Sequence, residues 1–217
     1  MSEPAEKTTR RPDAERTKAD IMRVAREEFA EHGLAGGRVD AIAARTQTTK
    51  RMIYYYFGSK EGLYLAVLEQ AYCEIRDRES KLSLATLHPA EAIRQLVEAT
   101  ADHHDESPDF VRLVCIENIH YARYLKGSET IRTLNLTAID TLADIVARGR
   151  AMGVFTKPID LLDLHMFISA ISFYRVGNRH SFGTLFGQDM GEPDVRTRHK
   201  RLLTDAVLGL LGYAEAA

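Results

Sequence analysis

No stretch of the 217 residues stays apolar for the ~18 positions that a membrane-crossing helix needs. The uncharged stretch Leu164–Tyr174 is too short and carries His165. Residues 1–12 are polar and charged, hold no apolar segment of a secretory leader, and read as a disordered tail. Cysteine occurs twice, as Cys73 and Cys115, without CxxC spacing, so a disulfide framework is excluded and reduced thiols in a cytoplasm are expected. There is no strand-type alternation of useful length, no internal repeat and no low-complexity tract. The G-x-S-x-G of a nucleophile elbow is missing, which removes support for serine hydrolysis. Gly33-Leu-Ala-Gly36-Gly37 lacks the Lys-Ser/Thr of a phosphate loop and follows no strand.

What is present is an ordinary globular composition, 45% hydrophobic and 28% charged, in a chain long enough for one compact domain or two small ones. The net charge of −2 hides an asymmetry. Up to residue 60 there are 12 Lys and Arg against 9 Asp and Glu; beyond it, 17 against 22. A basic head on an acidic body directs the search for phosphate binding to the head.

Helical periodicity runs nearly throughout, and the fold class is all-α. Ile21, Val24, Ala25 and Phe29 share one helix face, with Thr17 as the expected N-cap and Gly33 as the expected end. A short helix follows over about Arg38–Arg45, then one capped by Thr49 through Phe57, then a longer one capped by Ser59 with a Leu63, Val67, Tyr72, Ile75 stripe. Pro89, Pro108 and Pro158 each suit the first turn of a helix, and further helices are expected over about Pro89–Glu106, Pro108–Ala122, Glu129–Met152, Asp160–Asn178 and Asp194–Gly212. Gly183–Pro193 reads as a loop. The expected division is a tail (1–12), a three-helix helix-turn-helix DNA-binding domain (13–58), a connecting helix (59–81), and a larger helical effector-binding and dimerisation domain (82–217).

Short helices with tight connections beside a basic N-terminus are the layout of a helix-turn-helix module. In Thr49–Phe57, Ile53 and Phe57 turn inward and leave Lys50, Arg51, Met52, Tyr54 and Tyr55 for the groove and its walls. The residues Ile21–Ala25–Phe29, His32–Gly33, Val39–Asp40–Ile42–Ala43, Thr49–Lys50, Ile53–Tyr54–Tyr55–Tyr56–Phe57 and Ser59–Lys60–Glu61–Leu63 resemble the TetR family of bacterial transcriptional regulators, over about Thr17–Tyr72. The resemblance implies phosphate contacts from Thr49, Tyr55 and Lys60, and phosphate or base-edge contacts from Lys50 and Tyr54. It implies sequence readout by Arg51 and Met52, with a bidentate Arg51–guanine pair the most economical form. Thr48, at the end of the turn, joins this set.

Two positions depart from the family pattern. The turn before the recognition helix, usually Ala-Gly-Val, is Thr46–Gln47–Thr48 here, so Gln47 must take a backbone better suited to glycine or the turn must differ. Gly37–Arg38 stand where a Thr or Ser usually starts the second helix; Gly is an acceptable N-cap, and Arg38 replaces the hydroxyl as a phosphate contact.

In the body, Leu164, Phe167, Ile168 and Ile171, with Leu202, Leu203, Ala206, Val207 and Leu210, form two apolar faces suited to a four-helix dimer contact or to internal core. Polar and aromatic residues on apolar helices, His103, Glu117, Asn118, Tyr121, His165, Tyr174 and Asn178, are the effector-site candidates. Arg175 and Arg179, four apart, could clamp an anion or lie on a solvated edge. Glu117-x-x-His120 has di-iron spacing but occurs once, and no metal or cofactor is expected. The expected function is a cytoplasmic, homodimeric regulator, a repressor released from near-palindromic double-stranded operator DNA by a small-molecule effector; it is not an enzyme and has no membrane partner. The alternative is an all-α metal protein or enzyme with an incidental helix-turn-helix.

Overall fold

The structure is a computed structural model that describes residues 10–213, with side chains from residue 14. Residues 1–9 of the expected tail lie outside the described residues, and residues 10–12 begin the first helix instead of extending the tail. Among the described residues the chain forms ten α-helices, α1 (Arg10–Gly36), α2 (Val39–Arg45), α3 (Lys50–Phe57), α4 (Lys60–Ser80), α5 (Pro89–Glu106), α6 (Pro108–Ile119), α7 (Glu129–Ala151), α8 (Leu161–Gly177), α9 (Arg179–Phe186) and α10 (Pro193–Leu211). None of them is long and apolar enough to cross a membrane.

Local chemistry explains most of the boundaries. Thr49 accepts a hydrogen bond from the Met52 amide, and Ser59 and Ser128 do the same for Gly62 and Ile131. Asp160 accepts from both Leu162 and Asp163, so α8 starts after it and Pro158 lies before the helix, not in its first turn. Pro89 and Pro108 stand in first turns as expected, and Pro193, at the end of the expected loop, opens α10. Thr17 is not an N-cap, because α1 starts upstream at Arg10 and carries Thr17 within it. At Gly33 (φ 65°) the helical path breaks, as a left-handed residue requires, and a further turn runs to Gly36. The sixth helix ends at Ile119 and not Ala122, since Tyr121 and Ala122 both take positive φ. The expected loop at Gly183–Pro193 is shorter than its glycines suggest. Helix α9 runs through Gly183 to Phe186, the left-handed turn falls at Gly187, and the Phe182 and Phe186 rings pack 4.6 Å apart.

The head core joins Ile21, Val24, Phe29, Ile42, Ile53 and Leu63, and continues through Tyr64 and Leu113 into the body. The body core gathers Ile93, Val97, Leu142, Ile145, Leu164, Ile168, Leu203 and Val207 from α5, α7, α8 and α10. Of the two apolar faces read in the sequence, Leu164, Ile168, Leu203 and Val207 are therefore internal, and Phe167 and Ile171 are partly buried against them. Leu202, Ala206 and Leu210 remain exposed on α10, as do Leu162 and Met166 on α8.

Candidate nucleic-acid interface and effector cavity

Helix α3 has one buried residue, Ile53, which anchors it against the head. That single anchor leaves Lys50, Arg51, Met52, Tyr54 and Tyr55 exposed, Tyr55 most fully at 78%. Thr48, Arg51, Met52 and Tyr55 border one concavity between α3 and the start of α1. Thr49 is spent partly on capping, while its exposed position keeps it on the same face. Lys50 pairs with Asp40 of α2 at 2.5 Å, a partner that no spacing within α3 reveals. Lys60 is half-buried and donates to the Ala35 carbonyl at 3.4 Å, at the C-terminal end of α1.

Both departures from the family pattern have a structural answer. Gln47 takes φ 50°, so the turn keeps the left-handed residue and its strain without the glycine. Arg38, not Gly37, is the N-cap of α2, and it makes no side-chain cap bond. The buried Glu28 of α1 accepts from the Arg38 amide at 2.9 Å and so fixes the residue just before α2. Gly37 is required for another reason. A Cβ there would meet the Phe29 ring at 2.7 Å and the Gly33 carbonyl at 2.9 Å, so α1 and α2 could not close up.

The body holds a cavity of about 580 Å³, bounded by α4, α5, α6, α7 and α8. Its polar lining is Tyr72, Arg76, His104, Asn118, Asn135, His165 and Ser169, set among Ile75, Phe110, Val114, Met166, Ala170 and Phe173. Burial pushes the His104 and His165 imidazoles below their usual titration range, so both are neutral near pH 7. Two of the seven sequence candidates, Asn118 and His165, line this space. The other five do not. Glu117 is fully enclosed and accepts from the Tyr64 hydroxyl (3.0 Å) and from the Tyr124 and Leu125 amides, joining the head core to the body. His103 is buried beside Phe110 with its Nε2 unpartnered, and burial lowers its pKa to about 4. Tyr121 is 85% exposed, Tyr174 packs on Phe182 at the surface, and Asn178 ends α8. The signal that could have found Arg76 is helical periodicity, for it follows Tyr72 by four residues on the inward side of α4.

Arg175 and Arg179 do not form an anion clamp. Arg175, 5% exposed, is held by Asp105 (3.0 Å), His199 Nδ1 and the Met190 carbonyl. Arg179 is paired in bidentate fashion with Asp189, whose carboxyl it holds down at about 2. Glu117 faces inward and His120 outward, so their spacing does not build a metal site. Among the described residues, no group of three or more His, Cys, Asp or Glu is placed to hold a metal.

A helix-turn-helix head carrying an exposed basic and aromatic helix, joined by α4 to a helical body with an open cleft, is the layout of a ligand-responsive DNA-binding transcriptional regulator. The chain belongs to the TetR family. Residues 21–67 match the family model for "Bacterial regulatory proteins, tetR family", and residues 89–207 match "Tetracyclin repressor-like, C-terminal domain". It is 31% identical to the HTH-type transcriptional repressor NicS of Pseudomonas putida, over 92% of this chain and 94% of that protein. It is 30% identical to the HTH-type transcriptional repressor SCO4008 of Streptomyces coelicolor, over 76% of this chain and 80% of that one. The crystal structure of the regulator SCO4942 from Streptomyces coelicolor superposes with a TM-score of 0.68 at 27% identity, covering 91% of this chain and 99% of that one. Regulators of this family bind operator DNA and small-molecule effectors, are dimeric, and are not enzymes.

Proposed function

We propose that the chain represses transcription as a cytoplasmic homodimer, with α3 of each protomer in successive major grooves of a near-palindromic operator. The observation that carries this reading is the α3 surface, where one buried residue leaves five basic, aromatic and apolar side chains exposed. Arg51 and Met52 read base edges; Thr48, Thr49, Tyr54, Tyr55, Lys60 and Arg38 hold phosphates or groove walls. Lys50 exchanges its Asp40 partner for DNA. A single short helix reads too few base pairs, so two must act about 34–36 Å apart. The exposed Leu162 of α8 and Leu202, Ala206 and Leu210 of α10 supply an apolar face for the second protomer. The repressor names of two relatives, each at least 30% identical, support the sign of regulation.

The effector occupies the cavity between α4 and α8. Helix α4 is a wall of that cavity through Tyr72, Ile75 and Arg76, and it begins at Lys60 in the head. A ligand that fits better when α4 is displaced respaces the two heads, and ~1–3 kcal/mol of coupling gives a usable response. The test is operator binding to the chain's own upstream DNA by fluorescence anisotropy. A dimer per site with steep salt dependence is expected; a monomer bound at full affinity, or equal affinity for unrelated DNA, would overturn the proposal.

A further inference from the structure

One polar group in the wall of the cleft between α4 and α8 has its hydrogen-bonding role fixed by its own helix. His104 stands on the last turn of α5, 4% exposed. Its ring meets Phe110 and Phe173 edge to face, with centroids 5.6 and 6.4 Å away, and all three residues line the cleft. Nδ1 lies 2.7 Å from the Thr100 carbonyl, one turn back. Burial keeps the ring neutral, with one proton to place. A carbonyl oxygen can only accept, so that proton sits on Nδ1 and Nε2 is left with a lone pair. Nε2 makes no hydrogen bond among the described residues, and in contrast to the Nε2 of His103 it is not sealed off. The small accessible part of His104 opens on the cleft it lines, so an acceptor without a donor stands there. Buried acceptors are normally satisfied, and a donor carried by a ligand would satisfy this one.

The other groups of fixed polarity repeat the demand for a donor. Asn118 donates its Nδ2 to the Val114 carbonyl (2.8 Å) and Asn135 its Nδ2 to the Ile131 carbonyl (3.0 Å), each one turn back on its own helix. Their side-chain oxygens remain as acceptors. The Tyr72 and Ser169 hydroxyls and the neutral His165 can serve either way. Charge in the cleft is balanced. Among the described residues no Asp or Glu lines it, so a cation meets no partner, and the one cationic lining residue, Arg76, is already paired with Glu79. Tyr72, Phe110 and Phe173 supply ring walls that suit a flat molecule.

Resting on the reading of this cleft as the effector site, we infer that the effector is an uncharged aromatic heterocycle that donates an N–H hydrogen bond to Nε2 of His104. His104 thereby selects the ligand by its donor, and the Thr100 carbonyl positions the ring by holding its tautomer.

Calorimetry with two isosteric pairs of neutral probes tests this, indole against benzofuran and quinolin-2-one against coumarin. In each pair the second molecule carries a ring oxygen in place of the N–H. Within at least one pair the N–H member should bind about fivefold to a hundredfold tighter, the range that separates a satisfied buried acceptor from a stranded one. His104→Phe, which keeps an aromatic ring and removes the acceptor, should abolish that preference. Long-range nitrogen–proton correlation NMR on the wild-type protein keeps the inference testable if His104→Phe fails to fold. His104 should show the Nδ1–H tautomer, and its Nε2 resonance should move with the N–H probe and not with the oxygen analogue. The Nε2–H tautomer, equal binding within both pairs, a preference that survives in His104→Phe, or no binding of any probe would overturn the assignment. Operator anisotropy on the same samples separates the two readings. Release of DNA by the oxygen analogues alone overturns the N–H donor and leaves the effector cleft standing. N–H-selective binding without any change in operator affinity supports the His104 site and overturns its role as the effector site.

Discussion

The head and the body of this protein present their candidate binding residues in opposite ways. In the head, one helix of eight residues buries Ile53 and displays its neighbours, so the candidate DNA surface comes from a single segment. In the body, thirteen residues from five helices line one cavity. The head needs only helical periodicity to separate its inner and outer faces. The body needs the packing angle and register of every helix before any residue can be assigned to the cavity. The same contrast separates two buried arginines. Arg175 is fully engaged by Asp105, His199 and Met190, whereas the buried Nε of Arg76 has no partner.

The strongest way to break the comparison is to cut the joint between the regions. Glu117→Ala removes an enclosed group that serves the Tyr64 hydroxyl and two backbone amides, and should cost about 3–5 kcal/mol in a denaturant melt. A loss below ~1 kcal/mol would mean that head and body are not coupled there. Acid should act on the body next. The unfolded His103 imidazole takes its proton near pH 6.5 and the folded one near pH 4. Between those values the unfolded chain binds more protons, so stability falls as the pH falls, by roughly 3 kcal/mol in all from this residue. His104 and His165 shift in the same direction and add to the loss. His103→Phe should flatten the dependence measured by thermal melts from pH 7 to 4.

On the head, Arg51→Ala should leave the melt unchanged and cost about 1–3 kcal/mol of discrimination at one base pair per half-site. A specificity profile untouched by that change would remove Arg51 from sequence readout. The smallest effect is expected from Lys60→Ala, a drop of about 1 kcal/mol spread evenly over all operator sequences. The slope of log affinity against log salt should become shallower by about 1 for each phosphate that is no longer neutralised.

Much of the fold is legible in the sequence because local chemistry sets helix boundaries. Asp160, Ser59, Thr49, Pro89 and Pro108 mark starts that tertiary contacts do not move. The errors fall where a local signal has a rival. Thr17 is a good cap residue, but the helix has already begun upstream. Gly183 is a helix breaker by propensity, yet the Phe182–Phe186 contact one turn apart accompanies helix through it. On the candidate DNA surface, periodicity separates the exposed side chains of α3 from Ile53, but it is silent on Asp40 and Glu28, whose partners lie on other elements.

The sequence alone determined that the chain is helical, that it carries a helix-turn-helix, and which side chains of α3 avoid the core. Those properties depend on spacing along one helix, and spacing is fully written in residue order. Tertiary structure decided which polar residues of the body line this cavity: Asn118 and His165 do, beside Tyr72, Arg76, His104, Asn135 and Ser169, while His103, Glu117, Tyr121, Tyr174 and Asn178 lie elsewhere. It also decided which buried arginine is satisfied and which is not. A residue's own helix fixes only the direction in which it points; what meets it there is supplied by helices distant in sequence, whose packing no local pattern records.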